Sequence, residues 1–315
     1  MILAGGMMAA ALPKAGRADD FASFLAGLQA RAVAAGIPET VVQEATGALT
    51  PNADVLRLDH HQAEFTETWA TYASHVLSAA RIADGQQRYG ADENLVAAVT
   101  SRFGVAASVL LGIWGIETNY GKTQGNFGVI DALTTLAWDR GGGYFADQVI
   151  AALQIVAGGY QPAGKLIGSY AGAMGQPQFM PSVYLTTAVA FDGSGRPDIW
   201  GSDADTLASM ANYLRKAGWR PGEPSAAAVF APAGLAAMAG RTNVRTVGYW
   251  LRAGAEFLAG APETVQAGTK AALLMPDGAG GAGFLVFHNF GVIRRYNASD
   301  FYALAVGELG RLVTA

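Results

Sequence analysis

The sequence predicts a mainly helical α+β fold, and three observations carry the prediction. Apolar residues recur at helical spacing through most of the chain up to Gly218. Between Pro221 and about Phe290 the character changes to short β-like runs. A helical pattern then returns from Ser299 to Val313. At 315 residues the chain can bury a large core and form one to three subdomains.

The elements follow in chain order. Met1–Pro13 is apolar but too short to span a bilayer, and Gly16-Arg17-Ala18 puts small residues where a signal peptidase would need them. Residues 1–18 read as a secretory leader without its basic n-region, with a disordered tail as the alternative. No later segment reads as transmembrane. From Asp19 to about Gly36 a helix shows Phe21, Phe24, Leu25 and Leu28 on one face, and Pro38 opens a second, short one. The stretch Glu64-Phe65-Thr66-Glu67-Thr68-Trp69 predicts an irregular or helical segment with buried aromatics. Residues 78–103 read as one or two long helices. Further helices are expected over Val129–Trp138 and Tyr144–Ala157, with Arg140-Gly141-Gly142-Gly143 as the turn between them.

Ser169–Tyr184 is rich in Gly, Pro and amide side chains and low in charge, which suits a rigid loop against a neutral, hydrogen-bonding ligand. Phe191–Asp198 is a turn cluster. Asp203 is expected to cap a helix reaching Gly218. Ala226–Phe230, Ala271–Met275 and Gly283–Phe287 read as strands, the last two joined as a hairpin around Pro276-Asp277-Gly278. Ser299 caps the final helix.

One stretch concentrates the chemistry. Ser108–Gly121 reads as a short helix stopped by Gly121, with Glu117 in its last turn. Ile113, Trp114 and Tyr120 lie three or four positions away, so the carboxyl sits on a half-buried face. It also lies near the negative end of the helix dipole. Both effects push a carboxyl pKa upward, and an acid protonated near neutrality can protonate a leaving group. Gly112 and Gly115 would each weaken the helix by about 1 kcal/mol relative to Ala. Two such residues beside one acid imply a close approach to the backbone, by a packed segment or by a substrate.

Other classes are excluded. Only 15% of residues are charged and the net charge is −4, which argues against nucleic-acid binding. The absence of cysteine removes thiol catalysis, thiolate metal sites, disulfides and a lipid-bearing cysteine. His60, His61, His75 and His288 form no recognisable zinc pattern. Gly278–Gly283 matches G-x-G-x-x-G but leads into a strand rather than a helix, so the dinucleotide reading fails. Gly193-Ser194-Gly195 lies in a turn and is not a nucleophile elbow.

Gly115–Gly121, Tyr170–Ser182, Ala211-Asn212-Tyr213-Leu214 with Gly218-Trp219, and Arg295–Tyr302 together, in this order, resemble the lytic murein transglycosylase B family over roughly Phe21 to Leu312. The resemblance implies a lysozyme-like helical catalytic core, formed by 105–220 and 289–315. An N-terminal helical region, 19–104, and a small inserted α/β subdomain, 221–288, would complete the chain. It implies cleavage of the β-1,4 bond between N-acetylmuramic acid and N-acetylglucosamine of peptidoglycan, with Glu117 as the single acid/base. Ser169, Gln178, Tyr213, Asn297 and Tyr302, with Tyr296 in the same motif, would bind the muramoyl sugar. No second carboxylate is evident near Glu117, and the family uses none.

The same resemblance implies a periplasmic protein that is not lipidated, is monomeric, and works on glycan strands alongside proteins of wall synthesis. Two departures stand out. Only Arg140 remains of the arginines the family often places before its Tyr-Phe pair. Ala190 stands where the family's calcium loop commonly begins with Asp, leaving Asp192, Ser194, Asp198 and Asp203 or Asp205, so weak or absent calcium binding and no other cofactor are expected. A lysozyme-type hydrolase and an inactive peptidoglycan-binding protein are the alternatives.

Overall fold

A computed structural model describes residues 18–61 and 67–315. Residues 1–17 of the expected leader and the Glu64–Thr66 part of the aromatic segment lie outside the described residues, and Ala18 begins the first helix. In chain order the helices are α1 (Ala18–Ala34), α2 (Glu39–Thr46), α3 (Ala53–His60), α4 (Trp69–Val76), α5 (Ala79–Phe103), α6 (Ala107–Thr118), α7 (Val129–Asp139), α8 (Tyr144–Ala157), α9 (Pro181–Thr187), α10 (Asp203–Lys216), α11 (Val247–Arg252), α12 (His288–Tyr296) and α13 (Asp300–Val313). The strands are β1 (Phe127–Gly128), β2 (Ile167–Gly168), β3 (Ala226–Phe230), β4 (Val244–Thr246), β5 (Glu256–Phe257), β6 (Lys270–Leu274) and β7 (Gly283–Val286).

Local chemistry explains most boundaries. Ser78, Thr68 and Ser299 accept backbone N–H bonds at the starts of α5, α4 and α13, and Pro38 precedes α2. Residues 79–103 form two helical halves joined at Asp92, whose φ of −111° and ψ of 17° break the helix. Three expectations are corrected. The α6 helix ends at Thr118, not Gly121: Asn119 and Tyr120 adopt left-handed φ of 48° and 59°, and their N–H groups return to the carbonyls of Gly115 and Trp114. Asn tolerates this conformation, and its amide is tied to Asp84 of α5 at 3.1 Å. The cap of α10 is Ser202, whose hydroxyl accepts the Asp205 N–H, while Asp203 is already helical. The loop expected over 169–184 stops at Met180, because Pro181 takes the first position of α9, where a missing N–H costs nothing.

The described chain forms two compact units, one of residues 67–120 and 211–315, the other of 18–61 and 121–210. In the first, α13 lies against α6 so closely that a Cβ on Gly112 would strike the Val306 backbone, and one on Gly310 the Ser108 backbone. Helices α4 and α5 pack on the same helix, α13. The sheet of this unit is antiparallel, in the order β4-β6-β7-β3-β5. The hairpin expected around Pro276-Asp277-Gly278 is β6–β7, and Asp277 accepts the first N–H groups of α4, at Trp69 and Ala70. Strands β4 and β5 and helix α11 escaped the sequence reading, being two to six residues long. One sheet face buries Val229, Leu273 and Leu285 against Trp250, whose indole N–H donates to the Ala271 carbonyl.

In the second unit α7 and α8 form the apolar centre, with Val129, Leu133, Leu136, Val149 and Leu153 buried. Asn52 caps α3 and donates to Asp131 of α7, which fixes α3 on that helix. The two-residue ribbon β1–β2 leads the chain into the Ser169–Met180 loop.

Candidate active site

Glu117 lies in the last turn of α6, one residue before its end, in the first unit. Ile113 and Trp114, one turn earlier on the helix, are buried as the spacing requires, and Tyr120 is buried through the left-handed turn that follows Thr118. The tight contacts at both helix glycines are made by protein: α13 at Gly112, and the Tyr120 hydroxyl, 2.6 Å from where a Gly115 Cβ would stand. The side chain of Glu117 keeps a partly exposed edge. The dense surroundings nevertheless dominate its ionisation: burial raises its pKa from 4.5 to about 7, against the opposing effect of a hydrogen bond from Tyr302. That bond runs from the Tyr302 hydroxyl to Glu117 Oε1 at 2.6 Å.

Two elements bring this pair together. Ser299 starts α13 so that Tyr302 occupies its first turn, and the close α6–α13 packing carries the phenol to the carboxyl. Tyr302 is fully buried, and its own pKa is raised well above the usual phenol value by burial and by the Glu117 charge. The resemblance set Tyr302 among sugar-binding residues. With no exposed ring face it stacks on nothing from solvent, and its contact is with the acid itself.

Tyr296 closes α12, with its ring 4.9 Å from that of Tyr213 in an edge-on contact. The Tyr213 hydroxyl donates to the Arg295 carbonyl. Glu117's charge raises the Tyr296 pKa further, after burial, so this phenol shares the acid's electrostatic neighbourhood. Asn297 is buried, and its Oδ1 accepts the Ser299 N–H at 3.1 Å, turning the chain from α12 into α13.

Tyr72 was missed by the sequence reading. It lies on α4, its ring packs on Trp69 and Phe301, and its buried hydroxyl has no hydrogen-bond partner among the described residues. Its pKa is raised by burial first and by the Glu117 charge second. An i, i+3 aromatic pair behind the Thr68 cap was the only local signal.

Ser169 and Gln178 belong to the second unit. Ser169 is buried, and its hydroxyl accepts the Ala173 N–H at 3.1 Å. Gln178 has a left-handed φ of 53°, and its side-chain amide donates to the carbonyls of Gly175 and Gln124 at 2.8 and 3.2 Å. Gln176 is buried and donates to Asp203 at 3.1 Å. The loop is therefore preformed by its own amides, as its composition suggested.

The turn over 191–198 uses its oxygens internally. Asp192 accepts the Ser194 N–H at 2.8 Å, Asp198 accepts those of Trp200 and Gly201, and the two oxygens of Asp205 take those of Phe191 and Asp198. Among the described residues, Asp59, His60 and Asp139 do bring ligand atoms within 4.8 Å of one another. Arg140 already holds Asp59 through two hydrogen bonds, at 3.1 and 2.7 Å, and His60 is bonded to Asp139, so the group closes on itself as an ion-pair network.

A carboxyl that keeps its proton near pH 7 and is oriented by a phenol is the equipment of an enzyme that protonates a leaving group. Comparison with known proteins gives the kind. The family described as the transglycosylase SLT domain matches residues 20–311, and the chain belongs to that family. It is 32% identical over 276 residues to the membrane-bound lytic murein transglycosylase B of Escherichia coli K12, covering 82% of this chain and 73% of that one. Among solved structures it resembles SltB3 from Pseudomonas aeruginosa in complex with NAG-anhNAM-pentapeptide, with a TM-score of 0.87 and 40% identity over 92% of this chain and 78% of that one. It also resembles the Escherichia coli lytic transglycosylase Slt35 in complex with calcium, with a TM-score of 0.78 and 29% identity over 94% of this chain and 92% of that one. The architecture is the lysozyme-like α+β fold of these enzymes. Among the described residues no single helix is long and apolar enough to cross a membrane.

Proposed function

We infer that this protein is a peptidoglycan lytic transglycosylase that cleaves the β-1,4 bond between N-acetylmuramic acid and N-acetylglucosamine and closes a 1,6-anhydro ring on the muramoyl sugar. The observation that carries the reading is Glu117: one carboxyl, raised to about 7 by burial and held by Tyr302. Family membership and the peptidoglycan fragment bound to the Pseudomonas relative support it.

Glu117 in its protonated form donates to the glycosidic oxygen, and the C1–O bond breaks with the electron pair leaving on that oxygen. The N-acetyl group of the muramoyl residue stabilises the positive charge left at C1. Glu117, now a carboxylate, takes the proton from that sugar's C6 hydroxyl, and O6 bonds to C1. The acid is restored and no water is consumed. An intramolecular hydroxyl held in line competes at an effective molarity on the order of 10⁵ M or more, far above that of water. Tyr302 steadies the carboxylate between the two proton transfers. In the first unit Tyr213, Tyr296 and Asn297 would bind the sugar by its hydroxyl and acetamido groups; in the second unit Ser169 and Gln178 would offer a hydroxyl and an amide to the glycan.

The protein would act in the periplasm, unlipidated and as a monomer, after removal of a leader within residues 1–18. It would work beside wall-synthesis proteins and without a metal. Mass spectrometry of digested cell walls tests the reaction. The expected products end in 1,6-anhydro-N-acetylmuramic acid, resist borohydride and are one water lighter than lysozyme products. Mainly reducible muramic ends would instead establish a hydrolase.

A further inference from the structure

A cavity of about 790 Å³ lies within the unit that carries the sheet, and the proposed chemistry does not use it. Its size falls within the range of small-ligand sites. The floor is one cross-strand row, in which Val244 of β4, Ala272 of β6 and Val286 of β7 stand opposite one another in register. Phe290, Gly291 and Arg294 form one wall, sharing a face of α12 at helical spacing. The facing loop is preformed: buried Asn289 bonds to the Arg220 N–H, to the Arg220 carbonyl and to the Glu223 carbonyl, at 2.9, 2.8 and 2.6 Å.

The charge around the cavity opposes that of the chain. Arg220, Arg241, Lys270 and Arg294 line it, with Glu223 the one lining acid. Glu223 is committed to Arg220 and to the first N–H of α12, at His288. Arg241 and Arg294 share the single carboxylate of Asp300, at 2.9 and 2.6 Å. Four cations thus face two carboxylates, an excess of positive charge on a chain whose net charge is −4. A guanidinium has five donors, so two of them on one carboxylate leave N–H groups for another anion.

We propose that this cavity binds a carboxylate-bearing peptide, with apolar side chains on the Val244–Ala272–Val286 row and a carboxylate between Arg241, Arg294 and Lys270. Its identity as the peptide stem of peptidoglycan rests on the transglycosylase reading. The test is calorimetry of a sugar-free pentapeptide stem against the full chain and two variants. Gly291→Trp plugs the cavity, since a Cβ there meets nothing within 4 Å. Lys270→Glu reverses a charge at an exposed rim position. The wild type should bind, both variants should bind at least about tenfold more weakly, and Lys270→Arg should bind as the wild type does. Cleavage of glycan stripped of its peptides should be unchanged in all of them. If Gly291→Trp does not fold, Lys270→Glu decides alone. No binding by the wild type, or equal binding by the variants, overturns the proposal. Failure of the wild type to release 1,6-anhydro products from intact cell walls would instead defeat the transglycosylase reading and leave the peptide measurement standing.

Discussion

At the residue scale the decisive group is Glu117. Its pKa lies near 7 in the folded protein and near 4.5 for an ordinary carboxyl, so above pH 4.5 an unfolded chain ionises where the folded one resists. The stability this group contributes is therefore complete below about pH 4.5 and lost as pH rises to about 7. Glu117→Gln mimics the protonated form and still offers an oxygen to Tyr302. We expect it to lose at least 10²-fold in turnover, the low end of about 10²–10⁴ for a general acid. It should also unfold later than the wild type, with a margin that grows from pH 4.5 to 7 and reaches up to about 3 kcal/mol. Urea melts at pH 4.5 and 8 check this; a margin that shrinks with pH would mean that the carboxyl is not held protonated.

Tyr302 acts on the same group in the opposite direction. Its hydrogen bond favours the carboxylate and lowers the pKa, so Tyr302→Phe should raise it. Activity needs the protonated acid first and should fall above about pH 7 in the wild type. The variant should be slower, with its alkaline limb displaced upward by at least about one pH unit, since a hydrogen bond to a charged group contributes about 1.5–3 kcal/mol. A pH–rate profile of both proteins decides; an unmoved limb would separate Tyr302 from the ionisation of Glu117.

At the element scale the α6–α13 contact sets the site, and glycine makes it. Alanine is normally the better helix former by about 1 kcal/mol. At Gly112 and Gly310 the added methyl would strike backbone of the facing helix, and such overpacking costs about 1–3 kcal/mol or more. Gly112→Ala and Gly310→Ala should both destabilise the protein and reduce turnover by displacing Glu117 from Tyr302. Gly27→Ala is the control: the site is exposed within α1, a Cβ there meets nothing within 4 Å, and stability should rise. Thermal melts of the three variants would expose the opposite order.

At the scale of the whole molecule, each unit is assembled from two distant stretches of chain, and ions that bind only the folded state would stabilise it by mass action. Calcium is the ion to test, because one relative was solved in complex with it. Here Ala190 is buried and apolar, and the carboxylates that follow already accept backbone N–H groups. The melting temperature and the activity should be the same in a chelator as in about 1 mM calcium, the weak end of calcium sites. A rise in melting temperature with calcium would show that the turn opens to admit it.

The sequence by itself determined what is settled within a few residues. Ser78, Pro38 and Ser299 mark helix starts because a cap acts on the next turn of backbone. Ala226–Phe230 and the Asp277–Gly278 hairpin are legible from β-forming runs and turn chemistry. The raised pKa of Glu117 was legible from its apolar helical neighbours Ile113 and Trp114, and the family from four motifs in order. The tertiary structure decided the rest. It made Tyr302 a partner of the acid and brought Tyr72 to the same neighbourhood. It also assigned the glycine contacts to α13 and Tyr120, choosing protein over substrate. Residues 117 and 302 lie 185 positions apart, and no propensity or period reaches that far. What joins them is the packing of two helices at a distance that only glycine permits.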